Sequence, residues 1–396
     1  MRAAEPPSSR ASVRSSAFTT ALASLAPTAR VARAARPLTD AWRATPVEAR
    51  RAALLGISFR PLQAEALGLD TRATLGELLR YPFHIMRLGA YWNRIEPAPG
   101  ALTFDELDWQ VEAAERAGKQ IILDVGALKT FGYPEFFAPK HHLPQPLREG
   151  ALVTSDTSSA LLAAACAFAS RVVERYRDRP AIVAWQVEHE AVDPLGMEHS
   201  WRLSAAFVAR EVEAVRAADP TRPLLMNGFL PTSVPVRLQQ WWRTRDQGDS
   251  LAVAQRLADI VGVDYYPRHA LASVGPWTIY LDGSRSAQSQ RRLRALRAWA
   301  AAPAQAGRHP RQLMVSEGQA EPWESITTPP NPGAAAMYSC LPEHVIANYN
   351  YWMRWSRQAE VGLYAYLFWG AEYWALRQRS GDPRYLQAFA RILAGA

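Results

Sequence analysis

From Ala53 onward the sequence alternates short apolar runs with longer stretches of helical period, eight times over. The runs are Leu54–Phe59, His84–Leu88, Gln120–Val125, Ile182–Gln186, Leu224–Asn227, Ile260–Tyr265, Gln312–Ser316 and Gly362–Phe368. Each has the length and aliphatic content of a strand buried on both faces, as in a parallel sheet covered by helices. Between and after them, Asp105–Ala117, Ser158–Tyr176, Trp201–Ala218, Arg285–Ala301, Glu343–Arg357 and Tyr385–Leu393 repeat apolar residues at helical spacing. Thr103 is the expected N-cap of the first of these helices, and Gly118 the expected residue just past its end. Eight strands alternating with helices predict an α/β fold, a single (β/α)8 barrel. A doubly wound sheet alternates in the same way, but no G-x-G-x-x-G or G-x-x-x-x-G-K-[ST] follows the first run. The expected organisation is an N-terminal arm over 1–52 and a catalytic barrel over 53–396.

Charge separates the arm from the barrel. Residues 1–60 hold ten Arg and no Lys against Glu5, Asp40 and Glu48, which is +7 of the chain's net +8. The body is nearly neutral, so a general nucleic-acid surface is disfavoured. The arm is rich in Ala, Ser, Arg and Pro and poor in bulky apolar residues, the composition of a disordered or loosely packed segment. Residues 17–26 followed by Ala26-Pro27-Thr28-Ala29 offer a diluted export signal, and the Arg and Ser content a transit-peptide reading. However, the whole chain uses forty-two Arg and three Lys, so Arg richness is partly its habit. A cytoplasmic location is the expectation, with export through the N-terminal segment as the alternative. No window approaches 18 uninterrupted apolar residues, which excludes a membrane-spanning helix. Cys166 and Cys340 alone make neither a disulfide framework nor a four-ligand zinc site.

In such a barrel chemistry belongs at the C-terminal strand ends. The fourth run passes directly into Val187-Glu188-His189-Glu190, and the seventh into Glu317-Gly-Gln-Ala-Glu321-Pro-Trp323. Two carboxyl groups facing one barrel mouth suit hydrolysis of a glycosidic bond, where one acid protonates the leaving oxygen and the other attacks the anomeric carbon. A single strand-end Glu is more simply read as the partner of a barrel Arg. Fourteen Trp add to the case. Aromatic faces pack on the C–H faces of sugars, and Trp92, Trp323 and Trp369 are the candidates for a cleft, with Trp185 expected inside the barrel.

Trp185-Gln186-Val187-Glu188-His189-Glu190 resembles the W-Q-x-E-N-E segment of clan A glycoside hydrolases, the retaining β-glycosidase superfamily. Trp92-Asn93-Arg94-Ile95-Glu96-Pro97, with Gly100 and Phe104, resembles that clan's strand-two pattern W-x-x-I-E-P-x-x-G-x-x-x-F. The segment around Glu317 is similar to the nucleophile segment of cellulase-like, family 5-like members, and Tyr366–Gly370 to their eighth strand end. The resemblance implies that Glu190 is the acid/base and Glu317 the nucleophile. It further implies that Arg87 and Tyr266 sit beside the nucleophile, the latter in a register ambiguous with Tyr265. Trp369 would be a sugar platform. The chain departs from the pattern at His189, where the clan has Asn on the substrate 2-hydroxyl. A neutral imidazole can still donate or accept one hydrogen bond there.

His189-Glu190-Ala-Val-Asp193 lacks the second His of H-E-x-x-H and ends a strand, so a zinc peptidase is not supported. His141-His142 reads as a polar loop pair. The expected protein is a retaining β-glycoside hydrolase using two Glu, no cofactor and no metal. Its partner is an oligosaccharide, polysaccharide or simple glycoside, with neither nucleic acid nor membrane. A transglycosidase and a catalytically silent carbohydrate-binding barrel are the alternatives.

Overall fold

The computed structural model describes all residues except 1–28, 34–37, 133–135, 144, 149, 194–200, 275–276, 285, 288, 305, 323–337 and 396. Eight parallel strands close into one barrel in chain order: β1 (Leu54–Ser58), β2 (Ile85–Gly89), β3 (Gln120–Asp124), β4 (Ile182–Gln186), β5 (Leu224–Phe229), β6 (Ile260–Tyr265), β7 (Gln312–Gln319) and β8 (Leu363–Trp369). The eight strands fall on the eight apolar runs, and β8 pairs with β1 to complete the ring. The (β/α)8 expectation is borne out.

The two-residue period of each strand divides the core. Ile85, Ile122, Ala184, Leu225, Ile260, Met314, Ala365 and Leu367 form an apolar floor inside the barrel. Residues of the other parity, such as Met86, Leu123, Trp185, Met226 and Val263, pack outward into the larger cluster under the helices. Trp185 is therefore not in the barrel interior as expected. It stands one residue out of phase with Ala184, and its Nε1 donates to Asp219 at 3.0 Å. Towards the C-terminal ends the interior turns polar, with Arg87, Asp124, Gln186, Asn227, Asp264 and Ser316 all buried. Gly262 makes room for this layer, since a Cβ there would stand 2.4 Å from Ser316 Oγ and 3.0 Å from Asn227 Cβ.

Helix boundaries shift where caps differ from expectation. The helix after β2 runs Asp105–Arg116, with Phe104 rather than Thr103 at the N-cap. Phe104 offers no acceptor, and first-turn Asp105, Glu106 and Asp108 complement the helix dipole instead. The helix after β4 begins at Ala205, where the Ser204 side chain accepts from Phe207 N. Arg202–Leu203, expected to be helical, pairs with Leu152–Val153. A three-stranded antiparallel sheet of Ala29–Arg33, Trp277–Asp282 and Arg268–Val274 lies outside the barrel.

Within the segment 1–52, residues 38–50 pack against the barrel. Leu38 and Trp42 are buried in the main core. Asp40 pairs with Arg384 at 3.0 Å, and Arg391 donates to the Trp42 carbonyl. Glu48 pairs with Arg357 at 3.0 Å, while Asn350 bridges Glu48 N and the Pro46 carbonyl. Residues 38–50 thus clamp two outer helices, Pro342–Ala359 and Arg384–Gly395. The export-signal stretch lies outside the described residues. Among the described residues no helix is long and apolar enough to cross a membrane.

Trp42→Ala should destabilise the fold by about 3 kcal/mol, the usual loss for a buried Trp. Urea unfolding checks this; a change below about 0.5 kcal/mol, the scale of a surface substitution, would show that residues 38–50 merely lie on the barrel.

Candidate active site

The site is built around an irregularity in β7. Its register against β6 shifts between Val315 and Glu317. In a regular strand Ser316 and Glu317 would face opposite sides; the bulge turns both inward. Ser316 Oγ donates to Asp264 Oδ1 at 2.7 Å. Glu317, 2% exposed, receives three donors: Arg87 Nη2 at 2.5 Å and His189 Nε2 at 2.9 Å on Oε1, and Tyr266 OH at 2.7 Å on Oε2. Burial alone would push this carboxyl up, but the His189 imidazole, the Arg87 guanidinium and their hydrogen bonds outweigh it and hold it down at about 2. Burial pushes His189 below its usual value, against the pull of Glu317. Arg87 is the fixed cation of the group, and His189 adds a hydrogen bond to the same carboxylate oxygen.

Arg87 is itself held in place. Its Nε donates to Ser58 Oγ at 3.0 Å and its Nη1 to Gln186 Oε1 at 3.3 Å, and its guanidinium lies 4.1 Å over the Phe131 ring. Gln186 reaches Asn227, Asn227 donates to Asp264 Oδ2 at 2.7 Å, and Ser316 completes the circuit.

After β4 the chain makes a turn that L-residues rarely adopt. Glu188 has φ 58° and Glu190 φ 43°, both left-handed. Such conformations cost on the order of 1–3 kcal/mol each and persist where surroundings over-determine them. Here the Glu188 carboxylate accepts Leu128 N at 2.9 Å and Lys129 N, and the His189 amide donates to the Lys129 carbonyl at 2.5 Å. Lys129 Nζ donates to the carbonyls of Glu190 and Asp193. Glu188 is paired with backbone amides rather than with an Arg. Glu190, 8% exposed, is hydrogen-bonded to Asp264, whose carboxyl is raised well above its usual value by burial and by the Glu317 charge. Asp264, His189 and Glu317 present oxygen or nitrogen atoms within 4.8 Å of one another. Asp264 therefore stands between the two strand-end acids.

Arg87, His189, Glu190, Tyr266 and Glu317 are thus brought together, and the ambiguity between Tyr265 and Tyr266 is resolved: Tyr265 is core, stacked on Tyr351 at 5.1 Å. Trp369 lies at the same end, parallel to the His189 ring at 6.4 Å, but one face carries the Arg60 guanidinium at 4.2 Å. Trp92 was expected to line a cleft and does not. It is 1% exposed, its ring lies between His142 (4.6 Å) and Phe168 (5.3 Å), and Nε1 donates to Glu96 at 2.8 Å. With both faces covered it cannot stack on a sugar. Trp323 lies outside the described residues. Sequence reasoning missed Asp264, Asn227 and Arg60. Arg60, two residues past β1, grips Glu321 through two 2.9 Å bonds and also binds Glu372. The polar residue following the first apolar run was the available signal. Two groups among the described residues have the composition of metal ligands, Glu96–His141–His142 and His189–Asp264–Glu317. The second already contains the Arg87 cation on Glu317, which opposes a metal ion there.

Residues 78–217 match the model of a glycoside hydrolase family, family 42, described as beta-galactosidase. A search of curated proteins finds no match. Among solved structures, xylanase 10B from Thermotoga petrophila RKU-1 in complex with xylobiose is 13% identical, with 87% of this chain and 94% of that chain covered and a TM-score of 0.49. GH5_18 from Streptomyces cattleya in complex with GlcNAc is 16% identical, with 81% and 71% covered and a TM-score of 0.47. The exo-beta-1,4-mannosidase Op5Man5 from Opitutaceae bacterium strain TAV5 is 15% identical, with 80% and 52% covered and a TM-score of 0.49. The family match spans β2 to the helix after β4, including the strand-two and strand-four motifs with Arg87, His189 and Glu190, and it bears out the glycoside hydrolase resemblance read from those motifs.

Proposed function

We propose that this protein is a retaining β-glycoside hydrolase that cleaves O-glycosidic bonds by double displacement. The observation that carries the reading is the buried Glu317 carboxylate, ionised under three convergent donors at the end of β7. In the first step a Glu317 oxygen attacks the anomeric carbon while Glu190 protonates the departing oxygen. In the second, Glu190 takes a proton from water, and the resulting hydroxide oxygen displaces Glu317. The first step needs one acid charged and the other protonated. Arg87 favours charge on Glu317, whereas Glu190 is hydrogen-bonded to Asp264, whose carboxyl is raised well above its usual value. A neutral Asp264 beside Glu190 and a fixed cation on Glu317 set the two glutamates in different environments, as the two roles require.

The donors on Glu317 also stabilise the carboxylate that leaves in the second step. His189 spends Nε2 on Glu317, so only Nδ1, buried and unpartnered among the described residues, is left for a substrate hydroxyl. An orphaned acceptor or donor is costly when buried, and a sugar hydroxyl would satisfy it. Trp369 Nε1 is a second buried group without a partner at the same end of the barrel.

Azide discriminates the roles. Glu317→Gly with azide should yield an α-glycosyl azide, and Glu190→Ala with azide a β-glycosyl azide. Without azide, Glu190→Ala should slow substrates with poor leaving groups far more than activated aryl glycosides, because only the former need the acid. An inverted product from the wild type, read by NMR during turnover, would refute double displacement.

A pH profile tests the electrostatics. The folded-state value of Glu317 is depressed, so the ionised nucleophile, and the stability it confers, persist down to the acid limb and are lost as pH falls through that value. Tyr266→Phe deletes one donor to the carboxylate and should move the acidic limb of kcat/KM to higher pH, with a loss of roughly tenfold in rate. A downward shift or an unchanged limb would contradict the assignment.

A further inference from the structure

At the rim of the same barrel end, Glu96 lies just past the short helix Trp92–Ile95, and His141 and His142 lie in a 3-10 turn after β3. His141 Nε2 stands 3.2 Å from Glu96 Oε1, and His142 Nε2 3.2 Å from Glu96 Oε2. Successive residues of a 3-10 turn point about 120° apart, yet these two rings converge on one carboxylate with centroids 4.5 Å from each other. The carboxylate is fixed before either imidazole is counted: Gly100 N donates to Oε1 at 3.0 Å and Trp92 Nε1 to Oε2 at 2.8 Å. The His142 ring is fixed by stacking on Trp92.

We propose that Glu96, His141 and His142 form a divalent transition-metal site of the zinc type, with a fourth position open to solvent, which ties the loop after β2 to the loop after β3. Two imidazoles and a carboxylate are a zinc donor set, and ligands about 2.0–2.1 Å from a tetrahedral ion stand about 3.3 Å from one another. Each imidazole stands 3.2 Å from one of the two Glu96 oxygens, so whichever oxygen binds has one imidazole already at that edge, and no pair of ligand atoms in the set exceeds 4.8 Å. The supporting shell is present as well: Trp92 and Gly100 leave one place on each oxygen, which the imidazoles fill now and the ion would share. Trp92, buried against Phe168, joins this rim to the helix after β3, so the ion would stiffen the loop that also delivers Phe131 under Arg87. The site is separate from the reaction centre and does not depend on the glycosidase reading.

The test uses the full chain, free of affinity tag and stripped with chelator. Titration with zinc chloride by calorimetry should show saturable uptake of one ion per chain, and zinc should raise the melting temperature. His141→Gln with His142→Gln removes both ligands but keeps amide donors for Glu96, so a hydrogen-bonding role would survive in it. Its metal-free melting temperature should equal that of wild type, while zinc uptake and the zinc-dependent rise disappear. Each single Gln variant should weaken binding at least tenfold, which keeps the proposal testable if the double variant misfolds. His309→Gln, on the exposed surface, should bind as wild type does. No saturable uptake by the wild type, or uptake by the double variant equal to that of the wild type, would overturn the site.

Discussion

The contact on which the barrel mouth depends is the ion pair of Arg87 with Glu317, both buried at the level where the apolar floor gives way to polar residues. Neither charge could be held there alone. Removing one partner of such a pair costs about 3–5 kcal/mol, because the other is left uncompensated. The surrounding chemistry follows from that demand. Ser58 and Gln186 fix the guanidinium, Tyr266 and His189 complete the carboxylate, and the chain Gln186–Asn227–Asp264–Ser316 carries hydrogen bonds around the interior. The β7 bulge supplies the two inward neighbours this ring needs, and Gly262 supplies its space.

Strain at the end of β4 is the counterpart of this order. Two left-handed glutamates lie two residues apart, and the loop after β3 anchors both through Leu128 and Lys129. Gly126 permits that approach, since a Cβ there would stand 2.2 Å from Glu188 N. The acid/base candidate therefore sits on a turn whose shape depends on a neighbouring strand's loop, so a change in that loop would be felt at Glu190 without touching substrate.

The strands were legible because strands buried on both faces must be continuously apolar, and where a run passes into acid, as at Glu188 and Glu317, it marks the mouth of the barrel. Glu190 and Glu317 could be read in this way, while Arg87 and Tyr266 came from the resemblance to the clan's motifs. Phase was harder. Trp185 and Trp92 were misplaced because an aromatic residue satisfies either wall of a strand or either side of a loop, and one residue of phase separates them. Arg60 and Asp264 were missed because their partners, Glu321 and Glu372 for one and Asn227 and Ser316 for the other, are distant in sequence. The packing of residues 38–50 was hidden for a related reason: Leu38, Trp42 and Glu48 do the anchoring, and composition averages over them.

The central claim is that Glu317 is the group that becomes bonded to the sugar. A 2-deoxy-2-fluoro glycoside with an activated leaving group slows both steps but the second more, so a covalent intermediate accumulates. Mass spectrometry of the digested protein should then place one glycosyl unit on the peptide containing residues 312–319, on Glu317. A label on Glu190 or Asp264, or full turnover of a natural glycoside with no label on any carboxylate, would contradict the account.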